Sequence, residues 1–223
     1  MPQEIISERL KENPFVKLND AVYEHLREQI ISLAYESGMR LVESQLAEEL
    51  KVSHSPISAA LQRLQEENLV EREVGKSPIV APIRYRDCLM LLEARRGIEG
   101  QAAYLAAERI NDTELEELKR IMLGLKRAGE DGDPVQCARN DACFHGLIMK
   151  AARNKYLQDT FASMQGNIFR YLLYVLRKMQ SEGLHEFEHH LGPYHALKNR
   201  SACLARDEMI HSVEHMYHAM RYL

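Results

Sequence analysis

The sequence predicts a mainly α protein, with an N-terminal winged helix-turn-helix domain followed by an all-α antiparallel helical bundle. Three observations carry this. Two short helical stripes, Leu46-Ala47-Leu50 and Ile57-Ala60-Leu61-Leu64, flank Lys51-Val52-Ser53, which leave room only for a tight turn. Two β-prone runs, Leu69–Val74 and Ile79–Ala81, surround a Gly75-Lys76-Ser77-Pro78 turn, the pattern of a hairpin wing. After Arg84 strand signal disappears, and apolar residues recur at helical spacing.

Residues 1–18, with Pro2 and Pro14, read as an N-terminal arm. The winged helix domain is expected over 19–83 and an all-α helical domain over 84–223. Asn19 or Asp20 caps a first helix through Ala34 whose stripe is Val22, Leu26, Ile30 and Leu33. Ser53 suits an N-cap, and Pro56 sits in the first turn of the next helix, where a missing N–H costs nothing. That second helix is the one able to enter a DNA major groove.

The bundle opens with a helix over Arg84–Arg109, with Leu89, Leu92, Arg96, Glu99 and Ala103 near one face. Asn111-Asp112-Thr113-Glu114 has the form of a capping box. Asp133-Pro134 pairs an N-cap with an N1 proline and starts a helix through Ala152. Asn154 begins a fourth, apolar helix. Gly183 precedes a fifth, irregular at Gly192-Pro193, and Ala205-Arg206-Asp207 opens the last. Six helices with short links form an antiparallel bundle.

Composition excludes several classes. With 223 residues, 45% hydrophobic and a formal charge of −4, the chain buries real cores and is no generic polyanion binder. From Gly38 to Arg84 six cations face seven carboxylates, so non-specific phosphate attraction is weak. The four cysteines form no Cys-x-x-Cys pair and read as reduced thiols of a cytoplasmic protein. No apolar run approaches a membrane span, and the start of the chain, with Glu4 and Glu8, lacks a signal-peptide pattern.

The run Gly38-Met39-Arg40-Leu41-x-Glu43-x-x-Leu46-Ala47, then Val52-Ser53-x-Ser55-Pro56-Ile57-x-x-Ala60-Leu61-x-x-Leu64, resembles the DNA-binding domain of GntR-type bacterial transcription regulators. The resemblance implies that Arg40, Ser44, Ser55 and the wing residues Gly75 and Lys76 contact double-stranded operator DNA. His54 and Ser58 stand where the family usually carries Arg, so they mark a departure at two contact positions.

One constellation carries further chemistry. Asp141 and His145 are four apart on one helix face, shared with Ala138, Ile148 and Ala152, and that face points into the bundle. An ionised carboxylate there needs a cation or strong donors, and Arg95 competes with a metal for that role. The last helix offers His211, His215 and His218; the one before it offers His189, His190 and His195. One carboxylate with two or three imidazoles suits Zn²⁺, Ni²⁺ or Mn²⁺ and leaves coordination positions open to a carboxylate ligand.

Glu93-x-Arg95-x-x-Ile98-Glu99, Asp141-x-x-Phe144-His145, Ala152-x-Asn154-x-x-Leu157 and Ala205-Arg206-Asp207 resemble the FCD effector domain of the FadR-like branch of the same family. That resemblance implies a metal set of Asp141, His145, a penultimate-helix histidine and a last-helix histidine. His218 fits the last position; His195 is preferred for the other, one residue out of register, while Glu188-His189 lies too early. Arg95 is expected either to clamp an effector carboxylate or to pair with Glu99 or Asp141. The family also implies a homodimer.

Two functional readings follow. The first is a ligand-responsive regulator that binds operator DNA as a dimer and a small carboxylate effector in the bundle, through a divalent metal ion. The second is a metal-dependent enzyme, or effector-binding protein, with a degenerate DNA-binding domain; no carboxylate is spaced as its general base, and His-Glu-x-x-His is absent.

Overall fold

The computed structural model describes residues 17–179 and 186–220, with the side chains of 186, 187, 218 and 219 outside the described set. The chain divides into two compact units between Ile83 and Arg84.

In the first unit, α1 (Leu18–Ile31) packs on α3 (His54–Glu66), and α2 (Glu43–Leu50) joins them by a tight turn. Val22, Leu26 and Ile30 form the buried stripe of α1. The helix stops at Ile31, short of the expected Ala34, because Leu33 takes a left-handed φ of 62° that no helix can continue through. Lys51 ends α2 with φ 53°, which turns the chain within three residues onto α3. Ser53 has the extended backbone of an N-cap, but its hydroxyl accepts no capping hydrogen bond. The wing strands β1 (Val70–Glu71) and β2 (Ile79–Val80) are antiparallel, Val70 opposite Val80. They are shorter than their β-prone runs because 72–77 form an exposed tip, with Gly75 at φ 76°. Arg40 bridges Ile79 as a third, unexpected sheet segment.

The second unit is α4 (Tyr85–Arg109), α5 (Asp112–Glu130), α6 (Pro134–Ala151), α7 (Lys155–Met179), α8 (Glu186–Lys198) and α9 (Ala202–Met220). Asn111 and Glu114 exchange both capping hydrogen bonds at the head of α5, and Asp133 accepts from the Val135 and Gln136 amides at the head of α6. Gly183, expected to precede the fifth bundle helix, lies outside the described residues. α9 opens at Ala202, three residues before the Ala205 read from sequence: Arg200, at φ 53°, ends the preceding helix and the chain turns at once. Phe144, Ile148, Leu118, Leu197 and Met209 join one core, and Ala102, Phe161 and Ile168 a second.

Helix α9 lies close along α4. A Cβ on Gly100 would stand 3.1 Å from Ile210, and Arg96 reaches Glu214 at 3.0 Å. Helix α8 is drawn onto α9 as well, since a Cβ on Gly192 would collide with the Glu208 carboxylate. Pro193 inside α8 removes one helical N–H, so the helix is irregular there as the sequence implies. These close approaches bring α4, α6 and α8 around a polar interior.

Candidate functional site

The inner stripe of α4 buries Arg95 and Glu99 where apolar residues would be the default. Arg95 donates through Nε to Glu99 Oε1 and, at 3.4 Å, through Nη2 to Oε2. Of the partners expected for Arg95, the structure shows Glu99: a buried guanidinium needs a carboxylate, and Glu99 one turn away supplies it. The carboxylate of Glu99 also faces α6, where Oε2 lies 2.6 Å from His145 Nδ1. The N–H is out of line for an ideal hydrogen bond, so the contact acts as an ion pair. On the far side of the ring, His145 Nε2 is 3.5 Å from Asp141 Oδ1. From α8, His190 Nε2 reaches the same oxygen at 3.1 Å.

Asp141, His145 and His190 are all buried, and one ligand atom from each lies within 4.8 Å of the others. A tetrahedral ion with bonds of about 2.0–2.1 Å holds its ligand atoms roughly 3.3–3.4 Å apart. The separations of 3.1 and 3.5 Å bracket that edge. The donor set therefore fits a divalent ion of the zinc type. Phe144 closes one wall, its ring 4.5 Å from that of His190 and nearly perpendicular to it.

His190, an alternative in the sequence, takes the place preferred there for His195. His195 is exposed beside Tyr194 and lies outside the cluster. Five residues on a helix turn a side chain by about 140°, so the two cannot share a face. His189 stacks on His215 of α9, ring centroids 3.3 Å apart, and His211 is exposed. His218, the expected ligand from α9, has its side chain outside the described residues. What α9 does bury is Ser212, whose hydroxyl has no hydrogen-bond partner among the described residues.

The electrostatics follow from burial and charge. Burial alone would raise Glu99 most, but the Arg95 guanidinium and His145 outweigh it and bring the carboxyl to about 2. Asp141 likewise resists burial and is held well below the ordinary carboxylate range by His145 and His190. Burial would lower His145; the carboxylates of Glu99 and Asp141 reverse that and raise it to about 9. A cation thus belongs between these two acids, whether proton or metal.

In the winged helix the expected DNA residues are all at the surface. His54, Ser55 and Ser58 line the outer face of α3, Ser44 is exposed on α2, and Gly75 and Lys76 stand at the wing tip. Arg40 shares with Lys76 an open cleft of about 440 Å³, also lined by Glu71, Glu73 and Ser77. Residue spacing does not show how the cations are engaged: Arg72 pairs with Glu43, Lys76 with Glu73 and Arg63 with Asp20. Val74, fully exposed, is the apolar apex of the wing.

Residues 90–215 match the FCD domain family, and residues 18–80 match the family described as bacterial regulatory proteins, gntR family. The chain is 22% identical over 207 residues to the uncharacterized HTH-type transcriptional regulator YdhC of Bacillus subtilis, covering 89% of this chain and 90% of that one. It is 26% identical to the HTH-type transcriptional regulator McbR of Escherichia coli, over 82% of this chain and 81% of McbR. A solved structure of E. coli McbR/YncC superposes with a TM-score of 0.76 at 22% identity, covering 94% of this chain and all of that one. The gluconate operon transcriptional repressor of Bacillus licheniformis is 26% identical, over 84% of this chain and 77% of its own length. These likenesses run through both units and rule out the enzyme alternative. A winged helix that matches one family, joined to a bundle that matches its partner domain over more than half the chain, means that this protein belongs to the GntR family of transcription regulators and carries an FCD effector-binding domain.

Proposed function

We propose that this regulator, of the FadR-like branch, binds its operator as a homodimer and responds to a small organic acid held in the bundle at a divalent metal ion. The observation that carries the reading is the buried trio Asp141, His145 and His190 with ligand-edge spacings. A bound divalent ion supplies a Lewis-acidic position for a carboxylate oxygen. The chain's residues orient the donors and exclude water through Phe144. The gluconate operon repressor among the relatives makes sugar acids the first carboxylates to try.

Dimerisation draws support from Leu91, Ile98 and Leu105, which repeat every seven residues along α4 and are only partly buried beside Leu157 and Met164 of α7. Among the described residues no helix is long and apolar enough to cross a membrane. A regulator of transcription works in the cytoplasm, on the chromosome. Effector binding shifts the population of DNA-competent dimers by its differential affinity for the two states.

Metal analysis of the purified chain and of Asp141→Ala tests the site, together with thermal-shift screening of small carboxylates. Stoichiometric metal in the parent, none in the variant, and an acid that stabilises only the loaded parent are expected. Equal metal content in both would sink the reading.

A further inference from the structure

We propose that Glu99, held by Arg95, is the positioning residue of the metal site: it fixes the His145 ring so that Nε2 faces the ion. The inference rests on the metal reading above and names residues that do not touch the ion. Glu99 Oε2 and His145 Nδ1 are 2.6 Å apart. Two lone pairs would repel at that separation, so Nδ1 keeps its proton, and the proton that a metal displaces is the one on Nε2, which becomes the donor. Nε2 is also the atom on the Asp141 side, 3.5 Å from Oδ1.

Arg95 completes the arrangement. Its guanidinium grips both carboxylate oxygens of Glu99 from one turn earlier on α4. The Arg95 and Glu99 side chains are 3% and 2% exposed, so water cannot substitute for either partner. A carboxylate behind a ligating imidazole orients the ring and strengthens the ligand, and its loss weakens metal binding by about 10–100-fold. The pair on α4 thereby acts on the ion through α6. A plain structural ion pair would hold the helices together but leave the ring tautomer and the metal affinity unmoved.

The test uses the full-length chain with Zn²⁺ as probe. In histidine-¹⁵N-labelled protein loaded with Zn²⁺, long-range nitrogen–proton correlation should find His145 protonated at Nδ1 and metal-bound at Nε2. The opposite assignment overturns the proposal without any substitution. Glu99→Gln keeps the shape, and its Zn²⁺ affinity, read by competition with a chromophoric chelator, should fall about 10–100-fold with an unchanged circular dichroism spectrum. The double variant Arg95→Met/Glu99→Leu removes both buried charges together and should show the same loss without an unpaired guanidinium. Wild-type affinity in both variants, with binding abolished by Asp141→Ala, overturns the positioning role and leaves the ion site standing. Wild-type affinity in Asp141→Ala as well removes the ion site and this inference with it.

Discussion

His190 Nε2 and Asp141 Oδ1, 49 residues apart in the chain, are 3.1 Å apart across the interface of α8 and α6. That contact makes His190 the penultimate-helix member of the proposed metal set. His190→Ala should lose most metal affinity, whereas His195→Ala, at an exposed position off the cluster, should bind like the parent. Isothermal titration with Ni²⁺ reads both. Loss in His195→Ala with retention in His190→Ala would reverse the assignment.

His145 makes the metal-free protein sensitive to alkali. Its folded value is raised from 6.5 to about 9 by Glu99 and Asp141, with Arg95 and His190 packed around the same group. Between those values the folded state keeps a proton that the unfolded chain has released. Stability is therefore fully present below 6.5 and falls as pH rises toward 9. Melting temperatures of chelator-treated protein should decline across that window, and His145→Gln should flatten the decline. Metal must displace the same proton, so apparent metal affinity should climb over the same range.

The wing is restrained by its own acids. Lys76 pairs with Glu73 and Arg72 with Glu43, so operator phosphates must displace carboxylates to reach them. Exposed pairs of this kind contribute only about 0–1 kcal/mol to folding. Glu73→Gln should leave the melting temperature unchanged, tighten operator binding, and steepen the slope of log affinity against log salt by about 1. Fluorescence anisotropy at several salt concentrations measures it; an unchanged slope and affinity would sever Lys76 from phosphate. Changing His54 or Ser58 to Arg should move selected operators toward guanine, since a bidentate Arg–guanine pair is worth about 1–3 kcal/mol.

Ser212 buries a hydroxyl with no partner among the described residues. An unmet polar group of this kind costs about 1–3 kcal/mol. Ser212→Ala should therefore stabilise the ligand-free protein. A drop in ligand-free stability, measured by denaturant titration, would mean that the hydroxyl already has a partner.

Much of this was legible in the chain. The turn at Lys51, the Asn111 and Asp133 caps and the inward pair Asp141 and His145 depend on local rules, and the structure places each where those rules put it. The choice between His190 and His195 was not legible, because it depends on how α8 rotates as Gly192 lets it approach α9. The grip of Arg95 on Glu99 was visible only as one option among three, since spacing cannot say which buried acid a guanidinium selects. The start of α9 was missed for a local reason, the left-handed Arg200, a conformation uncommon outside glycine.

The alternation of charge along Arg95, Glu99, His145 and Asp141 fixes the valence of what the interior accepts. Without metal, one guanidinium and one imidazolium balance two carboxylates, and the cluster is neutral. A divalent ion adds two positive charges and expels one proton, which leaves the pocket one charge in excess. A single-carboxylate acid restores neutrality in a place where an uncompensated charge is costly, and a dicarboxylate overshoots it. Among acids of equal size, the domain should therefore discriminate by ionic charge before it discriminates by shape.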